Sequence, residues 1–350
     1  MPLNVEDMFP NVNMGLSNIG FFFGAGTSKE AGYPLTEDLT KKVINRLNDE
    51  EQDVLKKLLE TENIHYSFKN GNPDIEIISD LIYKHKLSGS LDNSINIEKS
   101  LRDHIVQELI SINNPNLKNH IKFLKALKTL MHSRAESIRI FTTNYDLLFE
   151  TAAMEAKIPI FNGFEGSLTR YFDIERIDLK YGTIDNKGFQ EYREPNIKLI
   201  KLHGSISWFR KGEKIYETCD YESFTNEVRS MILPRKQKVI DTLEYPYDKL
   251  FRYAAQTMGH QCKYILSCGY SFRDQHINDQ LIIPKLREGK IRFMALFGQE
   301  PENIEKFKQF KSFNYLTEDK IFIDGNEIDE TSDLWKFSQF VNMIANEAGI

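Results

Sequence analysis

Cysteine is scarce in this chain of 350 residues, with only Cys219, Cys262 and Cys268. No two of them stand at the Cys-x-x-Cys spacing of a structural zinc site, so the sequence predicts free, mostly buried thiols, a reducing cytoplasmic setting and no bound metal. His260-x-Cys262 offers two candidate ligands, which do not make a metal site. Long apolar runs are missing as well. No stretch approaches the ~18 residues of a membrane span, and Met1–Leu16 lacks the basic start and apolar run of a secretory signal. Positive charge is not in excess, because 45 Lys and Arg face 51 Asp and Glu for a formal net charge of −6. That balance gives no general attraction to nucleic acid or an anionic membrane, so neither is expected as a partner. Arg229, Arg235, Lys236 and Lys238 form a local basic patch whose ordinary role is to solvate a face. Two nucleotide signatures are also absent. Gly-x-x-x-x-Gly-Lys-Ser/Thr occurs nowhere, which disfavours a P-loop NTPase. Lys29 stands where Gly-x-Gly-x-x-Gly needs its third glycine, and no strand ending in an acid follows about 20 residues on, which disfavours a hydride-transfer dehydrogenase.

What the chain does have is material for a core, since 41% of its residues are hydrophobic and 12% aromatic, too many for a disordered chain. Five short apolar runs stand out: Ile19–Phe23, Ser137–Phe141, Ile197–Leu202, Tyr264–Cys268 and Ile291–Phe297. Each leads into a polar turn or a glycine, and helical patterns lie between them. Such runs predict an α/β fold with a doubly wound, Rossmann-like parallel sheet buried on both faces. Ligands of such sheets bind outside the carboxyl ends of the strands, where all five of these turns fall.

Apolar residues recur at helical spacing over Glu37–Leu47, Glu51–Leu59, Asp74–Tyr83, Ile97–Ser111 and Leu117–Leu130. The expected organisation is a single domain over 1–350 with a large helical insertion at 45–134 and smaller ones at 161–194 and 211–248. Ser332–Ala348, carrying Leu334, Phe337, Phe340, Val341 and Ile344, predicts an amphipathic helix that closes the core.

Gly24-x-Gly26 after the first run is a candidate phosphate cradle, because glycine lets backbone approach a pyrophosphate. A plain tight turn gives the same pattern. The motifs gain weight as an ordered set, and together they resemble the sirtuin family, in particular its divergent bacterial branch. Gly24-Ala25-Gly26-Thr27-Ser28 followed by Ala31-Gly32-Tyr33-Pro34 resembles the family's Gly-Ala-Gly-x-Ser…Gly-Ile-Pro loop. Thr143-Asn144-Tyr145-Asp146 is similar to Thr-Gln-Asn-Ile-Asp, His203-Gly204 to the catalytic His-Gly, and Gly269-Tyr270-Ser271 to Gly-Thr-Ser. The resemblance covers the sheet segments, about half the chain. It departs from the deacetylases in lacking their two Cys-x-x-Cys pairs and in having Leu35-Thr36-Glu37 where they carry Asp-Phe-Arg. The pattern is closer to the zinc-free, sirtuin-like NADases of antiphage defence.

That resemblance implies NAD as the substrate, cleaved to nicotinamide and ADP-ribose. It implies cofactor contacts from Gly24, Ala25, Gly26, Thr27, Ser28, Tyr33, Pro34, Gly269 and Ser271, and catalytic roles for Asn144, His203 and Asp146. The chemistry agrees. Cleavage passes through an oxocarbenium-like sugar, and nicotinamide leaves as a neutral molecule, so a positioned water and a base suffice. His203 has the pKa range of a base near neutral pH. Asn144 can donate and accept, holding a ribose hydroxyl and the water. Asp146 either contacts ligand or caps the helix beginning near Leu147. His276 and Asn278 are expected to be polar packing at a helix start. Rival readings are a non-hydrolytic module sensing NAD or ADP-ribose, a protein deacetylase or ADP-ribosyltransferase, and a nuclease. A toxic activity also predicts restraint through a homo-oligomer or a defence partner such as an ATPase, an Argonaute-like protein or a membrane effector.

Overall fold

Phe21 and Phe23 point to one side of their strand and Phe22 to the other, and all three are buried, because side chains alternate along a strand and both faces of this sheet are covered. The computed structural model describes residues 16–350 except 68, 90–95, 132–136, 193, 222–226 and 236–240, and only the backbone at Asp241. The amino-terminal residues 1–15, and Lys236 and Lys238 of the basic patch, therefore lie outside the described residues.

The main sheet has nine strands: β1 (Ile19–Phe23), β2 (Ser137–Thr142), β3 (Ile160–Phe161), β4 (Asn196–Lys201), β5 (Tyr264–Cys268), β6 (Arg292–Leu296), β7 (Phe313–Leu316), β8 (Lys320–Ile323) and β9 (Asn326–Asp329). Their spatial order is β9-β8-β7-β6-β5-β1-β2-β4-β3. Neighbours from β3 to β7 pair in parallel, and β8 and β9 add an antiparallel edge. The fold is thus the doubly wound α/β sheet expected, with β1 at the middle of its seven parallel strands. After β1 the sheet grows toward β2 and β4, and the chain then returns to lay β5 on the other side of β1. That reversal is the topological switch point where such sheets open a ligand crevice.

On the Phe21 and Phe23 face, helices α1 (Lys118–Leu130), α2 (Leu148–Ala156) and the carboxyl-terminal Phe337–Glu347 supply Phe123, Leu127, Phe149, Phe337 and Phe340. On the Phe22 face, Tyr247–Thr257 and the helical stretch 275–287 supply Leu250, Ala254, Ile277 and Leu281. Four more helices, Thr36–Arg46, Asp49–Thr61, Ile75–Leu87 and Ile97–Ile110, pack around a third cluster that includes Val43, Ile78 and Leu101. Three of the four starts are held by side-chain caps: Asn48 and Glu51 form a reciprocal capping box, Asp74 accepts from the N–H groups of Glu76 and Ile77, and Asn96 accepts from Lys99 N–H, satisfying donors that the first turn leaves open. Of the segment 45–134, α1 thus belongs to the wall of the main sheet, and the helices before it form a bundle of their own.

A second, five-stranded sheet runs in the order Val228–Met231, Gly204–Lys211, Lys214–Glu217, Arg170–Phe172, Phe164–Glu165. It draws strands from both 161–194 and 211–248. Ile206, Met231 and Leu233 of this region extend the cluster of the helical bundle, so bundle and second sheet share apolar contacts beside the crevice.

Candidate active site

The crevice begins where β1 ends. A Cβ on Gly24 would lie 2.5 Å from the Gly269 carbonyl oxygen, and one on Gly26 would lie 2.6 Å from Gly269 Cα. These glycines are therefore required by two strand ends packed backbone to backbone. The N–H of Gly26 donates to Gly269 O (3.0 Å), that of Thr27 to Gly24 O (3.1 Å) and that of Ser28 to Ala25 O (3.1 Å). Most of the N–H groups assigned to a phosphate cradle thus already have backbone acceptors. Ala25 stands exposed at the tip of the turn.

The loop after β2 locks onto this turn. Asn144 is buried, and its Nδ2 donates to Gly24 O (3.0 Å) and Ser28 Oγ (2.9 Å), with Thr27 Oγ1 at 3.3 Å. Its backbone N–H donates to Thr142 Oγ1 (3.0 Å), whose hydroxyl donates to Phe23 O (3.0 Å). Asp146 accepts from Ser28 Oγ (2.7 Å) through one carboxylate oxygen and from Leu148 N–H (3.1 Å), at the start of α2, through the other. It joins the first two loops and steadies a helix start, and both its oxygens have protein partners. Below it, Lys201 is buried at the end of β4, with Nζ bonded to the Asp146 carbonyl and to Glu150 Oε1 (2.9 Å). Burial pushes the Glu150 carboxyl upward, and Lys201 opposes that shift.

β4 delivers His203. Leu202 N–H donates to Thr142 O (2.8 Å), so the loops carrying Asn144 and His203 leave neighbouring parallel strands side by side. Gly204 has φ +82 and a would-be Cβ 2.4 Å from Ser230 O, a turn open to glycine, and the chain enters the second sheet at once. Ile232 N–H donates to His203 O (2.9 Å) and the Tyr145 hydroxyl donates to Ile232 O (2.5 Å), tying His203 to that sheet and to the β2 loop.

The loop after β5 brings a group that sequence reasoning assigned to packing. His276 is buried against His203, with the two Nε2 atoms 3.1 Å apart and the rings 27° from parallel. Asp274 Oδ1 lies 3.9 Å from His203 Nε2. The Asp274-x-His276 pair beside Gly269-Tyr270-Ser271 was the available signal, but nothing in its spacing points to His203. Asn278 does pack, accepting from the Tyr270 hydroxyl (3.1 Å) and donating to Phe272 O (2.6 Å). Ser271 is exposed at the crevice edge, and Tyr33 and Pro34 are half-buried on the segment that follows the first loop. Burial and then the nearby Asp146 charge push the Tyr33 hydroxyl upward, keeping it neutral.

The cysteines do not assemble. Cys219 is exposed, Cys262 sits under β1 against Gly20, and Cys268 faces the Trp335 carbonyl. Among the described residues no ligand cluster contains a cysteine, so these thiols do not fit the four-thiolate zinc site of the deacetylases. Burial pushes the Cys262 thiol up to about 12.

No curated protein matches this chain. One solved structure, of Sir2Tm bound to a propionylated peptide, aligns over 99% of this chain and 100% of that one at 12% identity, with a TM-score of 0.44. The SIR2-like domain family matches residues 138–316, slightly more than half of the sequence. That span runs from β2 to β7 and holds the Asn144 loop, His203 and the turn after β5. On that match the chain belongs to the SIR2-like domain family, and membership implies NAD-dependent, sirtuin-type chemistry.

Proposed function

We propose that this protein hydrolyses NAD+ at the nicotinamide–ribose bond, releasing nicotinamide and ADP-ribose. The observation that carries this reading is the placement of Asn144 and His203 on loops leaving adjacent parallel strands, both buried, beside the glycine turn that ends β1. In the proposed reaction the C1′–N bond breaks and its electron pair goes to nicotinamide. Positive charge develops on the ribose, water attacks C1′, and His203 accepts the proton that the water loses. A fixed, water-poor pocket strengthens such electrostatic effects. Asn144 uses its Nδ2 to hold the first loop. Its Oδ1 has no protein partner among the described residues, so it is the acceptor for a ribose hydroxyl.

A pure NAD sensor has no use for a base buried beside the sugar, and a deacetylase of the known type needs the cysteine module this sequence lacks. The resemblance to antiphage NADases suggests a role in depleting NAD in infected cells, with activity restrained through a homo-oligomer or a partner such as an ATPase or Argonaute-like protein. Hydrolysis is proposed to need no metal.

The test is incubation of purified protein with NAD, with products resolved by chromatography. Release of nicotinamide and ADP-ribose in equal amounts is expected, also after treatment with a chelator. His203→Ala should slow release by roughly 10²- to 10⁴-fold, the usual contribution of a positioned base, with NAD affinity by calorimetry little changed. A folded His203→Ala protein working at the wild-type rate would refute the mechanism.

A further inference from the structure

The turn after β5 is built to hold its course. Phe272 adopts a left-handed φ of +55, and its carbonyl accepts from both Asn278 Nδ2 (2.6 Å) and Asn303 Nδ2 (2.7 Å). This anchoring sets Asp274 and His276 over the end of β4. There the two histidine Nε2 atoms stand 3.1 Å apart, each ring 2% exposed, and ligand atoms of His203, Asp274 and His276 all lie within 4.8 Å of one another.

Two imidazole nitrogens that face each other this closely can share a proton or a metal ion. A cation bound to both at about 2.0–2.1 Å requires the nitrogens to stand roughly 2.8–3.4 Å apart, from right-angled to tetrahedral geometry. The observed 3.1 Å falls in that interval, and modest rotation of the two rings would turn both Nε2 lone pairs toward a shared cation. Asp274 Oδ1, at 3.9 Å from His203 Nε2 on a side chain only 13% exposed, needs to close by less than about 1 Å to complete a three-ligand set. Two imidazoles and one carboxylate suit zinc, cobalt and their neighbours rather than magnesium or calcium, and leave a position open.

We propose that His203, Asp274 and His276 form a binding site for a zinc-class divalent cation, and that the bound cation inhibits the enzyme. Inhibition rests on the hydrolase reading above, whereas binding does not. An imidazole that gives its Nε2 lone pair to a metal keeps its proton on Nδ1, so neither nitrogen of His203 can then accept a proton from water. The cation would also sit where the reacting ribose must approach. The site is thus distinct in kind from a catalytic zinc, because it silences the base instead of activating water.

Cobalt(II) serves as the probe, because its visible absorption reports coordination independently of NAD. Metal-free protein is titrated with cobalt and then with zinc, and nicotinamide release is followed alongside. The expected result is one cobalt per chain with a low-coordinate spectrum, displacement by zinc, and hydrolysis falling in step with occupancy and recovering when a chelator is added. Asp274→Ala and His276→Ala should each weaken cobalt binding by about 10-fold or more and reduce zinc inhibition relative to their own metal-free rates. If His276→Ala does not fold, Asp274→Ala, which alters a partly exposed side chain, carries the test. A micromolar protein that gives no cobalt spectrum and binds no zinc overturns the site and assigns the 3.1 Å contact to a shared proton. Zinc bound at the triad with hydrolysis undiminished overturns the inhibitory role. Metal-free protein that releases no nicotinamide refutes the hydrolase reading instead, and the cobalt titration still decides the site.

Discussion

Asn144 and His203 were both assigned to catalysis from their motifs, yet their surroundings make different demands. The Asn144 amide nitrogen is bonded to the carbonyl of Gly24 and the hydroxyl of Ser28, so it secures the first loop as well as facing the crevice. Asn144→Ala removes the donor that ties the β2 loop to Gly24 O and Ser28 Oγ, while Thr27 N–H and its hydroxyl still donate to Gly24 O, so the cost is that of the lost hydrogen bonds, about 0.5–1.5 kcal/mol each. The expected outcome is slower hydrolysis together with weaker NAD binding, whereas His203→Ala should slow hydrolysis and leave NAD affinity little changed. Equal NAD affinity in the two variants would mean that the Asn144 tie is dispensable. The motif Thr143-Asn144-Tyr145-Asp146 was legible in the sequence, but the division of labour among its atoms was not. That Asp146 accepts from Ser28 Oγ and from Leu148 N–H depends on how the β1 and β2 loops meet. The contact between His276 and His203 was not legible for the same reason: the two are 73 positions apart, and only the folding of the β5 turn brings the rings together.

At the scale of elements, the strand ends depend on glycine for two separable reasons. Gly269 has φ +66, and a Cβ there would lie 2.6 Å from Thr27 N, combining backbone strain with a clash against backbone that cannot swing aside. Gly32 has φ +102, but a Cβ there meets nothing within 4 Å. Gly269→Ala should therefore cost about 2–4 kcal/mol, from left-handed strain and overpacking together, and should weaken NAD binding by parting the β1 and β5 ends. Gly32→Ala should cost about 1–2 kcal/mol, from strain alone. Urea unfolding of the pair distinguishes them, and equal losses would remove the close approach as the reason for Gly269. The five principal strands were legible because a strand covered on both faces has no polar side to break its apolar run. The strands β7, β8 and β9 and the second sheet were not. They are short or one-sided, and Gly204–Lys211 follows His203 without a spacer, so the turn was visible and the strand behind it was hidden by polar residues such as Ser205 and Ser207.

Across the whole molecule, the main sheet holds its two faces by different means, and one face carries a titratable weak point. His120 lies on α1, between Phe149 of α2 and Phe337 of the carboxyl-terminal helix, with ring centroids 4.9 Å from each. It is 1% exposed, and neither ring nitrogen has a hydrogen-bond partner among the described residues. Burial pushes its pKa from the ordinary 6.5 down to about 4, against a smaller opposing pull from Asp146. The folded protein therefore keeps His120 neutral at a pH where the unfolded chain already binds a proton there. Its contribution is complete above about pH 6.5 and is lost as pH falls toward 4, where the folded form also begins to protonate. A shift of this size corresponds to about 3 kcal/mol. Carboxylates titrate over part of the same range, so the useful quantity is a difference between two proteins. His120→Leu keeps an apolar body in the same space and removes the titration. Urea unfolding at steps from pH 7 to pH 4.5 should show wild type losing about 2–3 kcal/mol more than the variant. The gap should open below pH 6.5, because there the extra proton goes to the unfolded chain alone. Parallel curves would mean that His120 gains a proton in the folded state as readily as in the unfolded one, and that the seam between α1 and the carboxyl-terminal helix is open to water.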